Sequence, residues 1–111
     1  MKGTMLIYSP GSMTPKVTKL AASPQLSDLQ GAVGGYIEAV PYFQTIQRFA
    51  KIQTCVAFCN EHGKLDGLPI NEHATWLWYR ALERNKLRPS DDALVGSIVV
   101  LFGDREFMAA L

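Results

Sequence analysis

A chain of 111 residues with 48% hydrophobic and 19% charged side chains has the size and balance of one folded domain spanning residues 1–111, and is too apolar to remain disordered. A formal net charge of +1 argues against a strongly basic general nucleic-acid binder and against a strongly acidic nucleic-acid mimic. No stretch approaches the ~20 apolar residues of a membrane span, and the run after Lys2 is too short for a secretory signal. The expected setting is therefore the cytosol, either of a bacterium or of a cell that hosts a virus, with no membrane partner.

Met5-Leu6-Ile7-Tyr8 reads as a strand, stopped by the turn residues Ser9-Pro10-Gly11-Ser12. Lys16 to Leu20 alternates polar and apolar side chains and is a half-exposed strand that could form a hairpin with the first. Ser23-Pro24 has the form of a helix start, with Ser23 as cap. Leu26, Leu29 and Val33 then recur at helical spacing until Gly34-Gly35 ends the run. Tyr36 to Val40 is a strand stopped by Pro41. Across residues 41–54 the spacing of Ile46, Phe49, Ala50 and Gln53 fits a short amphipathic helix, and an extended arm is the alternative.

Cys55 to Cys59 is continuously apolar, as a strand buried on both faces would be, and Asn60-Glu61-His62-Gly63-Lys64 is a turn. Asn71 caps the longest helix, Glu72 to about Asn85, whose apolar stripe is Ala74, Leu77, Trp78, Ala81 and Leu82. Arg88 to Asp92 is a polar connection. Leu94 to Phe102 reads as one long central strand with a bulge or close approach at Gly96, and Asp104 opens a last helical turn. The sum is an α+β fold, an antiparallel or mixed sheet of about five strands with the long helix packed on one face.

The residue types that carry chemistry are sparse. Cys55 and Cys59 on one strand would stand roughly 13 Å apart, beyond the ~7 Å that a disulfide allows between Cα atoms. They read as reduced core thiols. Adding His62 and His73 completes four ligand types that zinc accepts, but at a spacing unsuited to one tetrahedral ion, so no metal site is assigned. Cys59 with either histidine and Glu61 or Asp66 makes a nominal nucleophile set, yet nothing resembles a nucleophile elbow, and no catalytic residue or cofactor is assigned. Gly31, Gly34 and Gly35 lie near a helix end and not a helix start, which is the wrong side for a phosphate loop. Asn71, at the start of the long helix, reads first as a structural cap.

Two clusters remain. Arg80, Arg84, Lys86 and Arg88 gather at the end of the long helix beside Trp76 and Tyr79, which fall off the apolar stripe. An exposed aromatic pair with cations can form a protein interface or stack nucleic-acid bases, and the bland alternative is a helix buried on two sides with cations favouring its C-terminal dipole.

Val33-Gly34-Gly35-Tyr36-Ile37-Glu38, Cys59-Asn60-Glu61-His62-Gly63-Lys64, Gly67-Leu68-Pro69-Ile70-Asn71 and Val95-Gly96-Ser97-Ile98-Val99-Val100 together resemble a small domain family of unknown function found in phages, plasmids and bacteria. The resemblance covers roughly residues 26–103. It implies the order helix, strand, turn, helix, closing strand and a mobile-element or bacterial setting, and it brings no chemistry with it. His62 departs from the second acidic residue of the family's turn, and the 41–54 segment has the look of an insertion.

The expected function is a non-enzymatic binding protein of a phage or mobile element, a homo-oligomer that sequesters a small molecule or nucleotide or blocks a host protein. Its ligand site would use Tyr36 for stacking, Glu38, Asn60 and Glu61 as polar contacts, Lys64 for a phosphate, and Asn71 with Thr75 at the helix start. Trp76, Tyr79 and Arg80 would form an interface. The alternative is a nucleic-acid accessory factor acting through Trp76, Tyr79, Arg80 and Arg84.

Overall fold

The structure, a computed structural model, describes residues 2–89 and 91–111. Ser90, part of the polar connection read from the sequence, lies outside them. Among the described residues, seven strands and three helices follow in the order β1 (Gly3–Tyr8), β2 (Lys16–Leu20), α1 (Leu26–Val33), β3 (Ile37–Ala39), β4 (Thr45–Arg48), β5 (Lys51–Thr54), β6 (Val56–Asn60), α2 (Glu72–Arg84), β7 (Ile98–Gly103) and α3 (Arg105–Ala109). Five strands make an antiparallel sheet in the order β2-β1-β7-β6-β3, and β4 with β5 forms a separate two-stranded sheet.

The central strand β7 explains the layering. Its side chains alternate between two cores, as the period of a strand requires. Ile98, Val100 and Phe102 face α2 and the β4–β5 hairpin, joining Leu6, Ala57, Phe43, Ile46, Leu77 and Trp78. Val99 and Leu101 face the other way, into a cluster with Leu29 and Val33 of α1 and Phe107 of α3. A strand covered on both sides has no polar positions, hence the unbroken apolar run; burying each such side chain contributes about 1.5–3 kcal/mol. The α+β class and the helix across one face are as the sequence indicates, and α1 and α3 cover the second face. No helix among the described residues is long and apolar enough to cross a membrane.

Four local expectations are corrected. Residues 41–54 hold a β-hairpin, the extended alternative and not the helix: Ile46 points into the core while Phe49 sits at the tip, 92% exposed. Their helical spacing is a coincidence of the hairpin's geometry. The cap of α1 is Gln25, whose N–H donates to the Asp28 carboxylate at 3.0 Å, two residues beyond Ser23. The strand after Gly35 is shorter than expected, Ile37–Ala39. The closing strand starts at Ile98 and not at Leu94. Gly96 has φ 72°, a left-handed conformation that interrupts any strand, and its N–H donates to the Pro69 carbonyl at 2.8 Å.

Candidate functional site

The start of α2 is built around Asn71, which is fully buried. Its Oδ1 accepts from the Ala74 N–H at 3.1 Å, capping the helix, while Nδ2 donates to the carbonyls of Tyr8 and Gly96, both at 2.9 Å. Thr75 Oγ1 donates to the Asn71 carbonyl at 2.7 Å and accepts from the Leu94 N–H at 2.9 Å. These side chains bind β1, α2 and the 94–96 segment to one another. The expectation that Asn71 and Thr75 would hold a ligand is therefore corrected: their hydrogen-bonding groups are engaged within the fold and covered.

The polar residues of the β3 and β6 ends do converge. A cleft of about 340 Å³ is lined by Glu38 of β3 with Val40 and Pro41 after it, by Cys59, Asn60, Glu61 and Lys64 from the end of β6 and its turn, by Trp78 of α2, and by Asp92 to Val95. Antiparallel pairing sets Glu38 opposite Cys59, which brings the β3 side of the cleft to the β6 side. The Tyr36 carbonyl accepts from the Glu61 N–H at 2.8 Å and holds the turn over the strand end. Trp78 Nε1 donates to the Pro41 carbonyl at 2.8 Å and fixes the helix side.

Within the cleft the side chains differ in how far they are already engaged. Asn60 Nδ2 donates to the Val33 carbonyl at 3.2 Å and its Oδ1 accepts from the His62 N–H at 2.8 Å, so Asn60 builds the wall. The Lys64 ammonium pairs with the Asp92 carboxylate, and that contact holds the Asp92 carboxyl below its ordinary range. Glu38 and Glu61 are exposed, and Glu61 lies 4.0 Å from the His62 ring. Burial, with Glu38 close by, raises the Cys59 thiol, which leaves it protonated at neutral pH and a weak nucleophile. Cys55 is buried deeper and pushed up to about 12.

The other candidates from the sequence are dispersed. Tyr36 is 67% exposed but does not line the cleft. His73 packs edge-on to Tyr8 with ring centroids 5.1 Å apart and does not line the cleft that holds Cys59. Among the described residues no three His, Cys, Asp or Glu side chains gather as a metal-holding group. Tyr79 is half-buried, packs on the core and donates its hydroxyl to the Asp92 carbonyl, so the pairing of Trp76 with Tyr79 as one exposed aromatic surface is corrected. Trp76 is 57% exposed, and the Arg80 guanidinium stacks over it at 5.7 Å.

Sequence reasoning missed Val40, Pro41, Trp78 and Asp92 as cleft residues. Asp92 is 28 positions from Lys64, and nothing in the spacing joins the two.

Residues 1–109 match the family described as domain of unknown function DUF3846, and the chain belongs to that family. The match extends beyond residues 26–103 at both ends and so takes in β1, β2 and α3. No curated protein and no solved structure matches the chain.

Proposed function

We propose that this chain is a non-enzymatic binding protein that holds a small polar molecule in the cleft between the β3 end, the 60–64 turn and the Asp92 segment. The observation that carries the reading is the meeting of Glu38, Glu61, Lys64 and Asp92 around one opening of about 340 Å³, a size that ligand pockets reach. A raised Cys59 thiol within the same cleft supports binding over covalent chemistry.

The charges select the kind of ligand. Glu38, Glu61 and Asp92 outnumber Lys64, whose ammonium is already paired with Asp92. A phosphate would meet that surplus of carboxylate. An amine, an amide or a sugar hydroxyl would donate to it. The fitting class is a neutral or cationic molecule rich in N–H and O–H groups, which replaces the nucleotide expected from Lys64. Pro41, Leu65 and Val95 give such a molecule an apolar surface to rest on.

The reading keeps the setting of a phage or mobile element in a bacterial cytoplasm, supported by the four motifs quoted above, with sequestration of a host molecule as the task. It also keeps self-association. The three-residue β3 stands at one edge of the five-stranded sheet and offers backbone groups to a second copy, which sedimentation velocity would detect.

The test is to incubate the purified chain with a bacterial small-molecule extract and identify what it retains by mass spectrometry. Retention of an amine, amide or sugar-like species that is lost in Glu38→Gln/Glu61→Gln is the expected result. No retained species, or equal retention by the double variant, contradicts the reading.

A further inference from the structure

The β4–β5 hairpin and α2 form a second surface, on a different side of α2 from the cleft. The hairpin is tied down: Arg84 donates from Nε to Thr45 Oγ1 at 2.9 Å and from a terminal nitrogen to the Thr45 carbonyl at 3.2 Å, and Asn85 Nδ2 donates to Gln44 Oε1 at 3.3 Å. Its two-residue turn, Phe49-Ala50, has φ of 50° and 66°. A turn with positive φ at both positions ordinarily uses Asn-Gly, because a Cβ crowds the left-handed conformation. Here that conformation holds a phenylalanine almost wholly in solvent at the tip of an anchored hairpin. Strain maintained at an exposed aromatic points to use of the ring.

The groove beside it has a volume of about 320 Å³ and is lined by Gln47, Phe49, Ala50, Trp76, Leu77, Arg80 and Arg84. Both exposed ring systems carry a guanidinium: Arg48 over Phe49 at 4.9 Å and Arg80 over Trp76 at 5.7 Å. Lys51 adds a cation next to the turn. Glu83, 3.7 Å from Arg80, is an acid on the rim; both partners are about half exposed, so the pair is weak and open to exchange for another anion.

We propose that this groove binds single-stranded nucleic acid, with bases stacking on Phe49 and Trp76 and phosphates meeting Arg48, Lys51 and Arg80. Ring faces accept any base, and adjacent guanidinium groups suit both phosphate contact and stacking. Charge complementarity selects the occupant, since the groove's own lining carries cations and no carboxylate. A stable protein partner would instead need a wide apolar core within some 1,200–2,000 Å² of buried surface. A net charge of +1 confines the attraction to this patch, so affinity is modest and depends on salt. The residue set differs from the one read in the sequence: Arg48, Phe49 and Lys51 enter, and Tyr79 leaves because its hydroxyl is engaged by Asp92.

The experiment is fluorescence anisotropy of labelled oligo-dT and oligo-U with the intact chain at low salt. Binding should appear in the micromolar to ~100 µM range, and log K should fall against log salt with a slope of about −2 for three phosphate contacts. Phe49→Ala and Trp76→Ala should each weaken binding about tenfold, while Phe49→Tyr preserves it. Arg80→Ala should flatten the salt slope by about 0.7. Circular dichroism checks that these exposed substitutions leave the fold intact, and Glu38→Gln/Glu61→Gln should bind the oligomers like wild type. The tighter of the two oligomers identifies DNA or RNA as the source. The proposal is overturned by no binding below about 100 µM to either oligomer, by unchanged binding in both aromatic variants, or by polyglutamate binding as tightly as the oligomers.

Discussion

The start of α2 and the rim of the cleft are both built from polar side chains, and they serve opposite ends. Asn71 and Thr75 are covered, and their bonds run to Tyr8, Gly96, Ala74 and Leu94 within the chain. Glu38, Glu61 and Lys64 are exposed around an opening, with the Lys64–Asp92 pair spanning it. A buried polar group must be paired or it costs stability, so such groups record the demands of the fold. Exposed groups held in a concave arrangement have no such demand to meet and keep capacity for a ligand. Burial is what separates the structural asparagine from the exposed carboxylates of the cleft, although all are polar residues near turns in the sequence.

The sharpest way to break this contrast is Asn71→Asp. The carboxylate keeps the acceptor that caps α2 but places a second oxygen against the Tyr8 and Gly96 carbonyls. The expected loss is about 3 kcal/mol or more in urea unfolding, whereas Glu38→Gln/Glu61→Gln should stay within about 0.5 kcal/mol of wild type. Equal losses in the two variants would erase the distinction between the regions.

Titration of Cys55 sharpens it further, as a buried group without a role in the cleft. Its thiol is raised from an ordinary value of 9.0 to about 12 by burial. The unfolded chain then releases the proton before the folded chain does. This contribution to stability is whole below pH 9, declines as pH rises and is lost by about pH 12. Cys55→Ala should therefore show a flatter decline between pH 9 and 11 than wild type, measured by denaturant unfolding at each pH.

A smaller effect of opposite sign is expected at the hairpin tip. Replacing Phe49-Ala50 by Asn-Gly relieves two left-handed residues with side chains and should stabilise the chain by about 1–2 kcal/mol in thermal unfolding, while removing the exposed ring. The smallest effect belongs to Lys64→Met. An exposed ion pair contributes about 0–1 kcal/mol. Asp92 is held low first by its bond to Lys64, so the pair's contribution is present above an ordinary aspartate value of 3.8 and is lost as pH falls through the lowered one. As pH falls through that lowered value, wild type and Lys64→Met should converge in stability.

Much of this architecture is legible in the residues themselves. The unbroken apolar run of β7 states its coverage on both faces, Asn71 before an amphipathic stripe states a capped helix, and Gly34, with φ 77°, marks the end of α1. The hairpin is not legible, because Phe49-Ala50 lacks the residues that such turns favour and Ile46 to Gln53 falls by chance at helical intervals. The start of β7 is misplaced for a related reason: Leu94 and Val95 are apolar like the strand, and only the backbone at Gly96 separates them. In the cleft, Asn60, Glu61 and Lys64 can be found because one turn holds them, and Glu38 because it sits on the short strand stopped by Pro41. Trp78 and Asp92 arrive through tertiary packing, which local spacing does not encode.

The most direct measurement is amide shift mapping of the ¹⁵N-labelled chain during titration with the small-molecule fraction it retains. Binding in the cleft predicts perturbed amides at 38–40, 59–65 and 92–95, with the start of α2 at Asn71 and Thr75 unchanged. Perturbation centred on Asn71 and Thr75, or none at the cleft, would contradict the account.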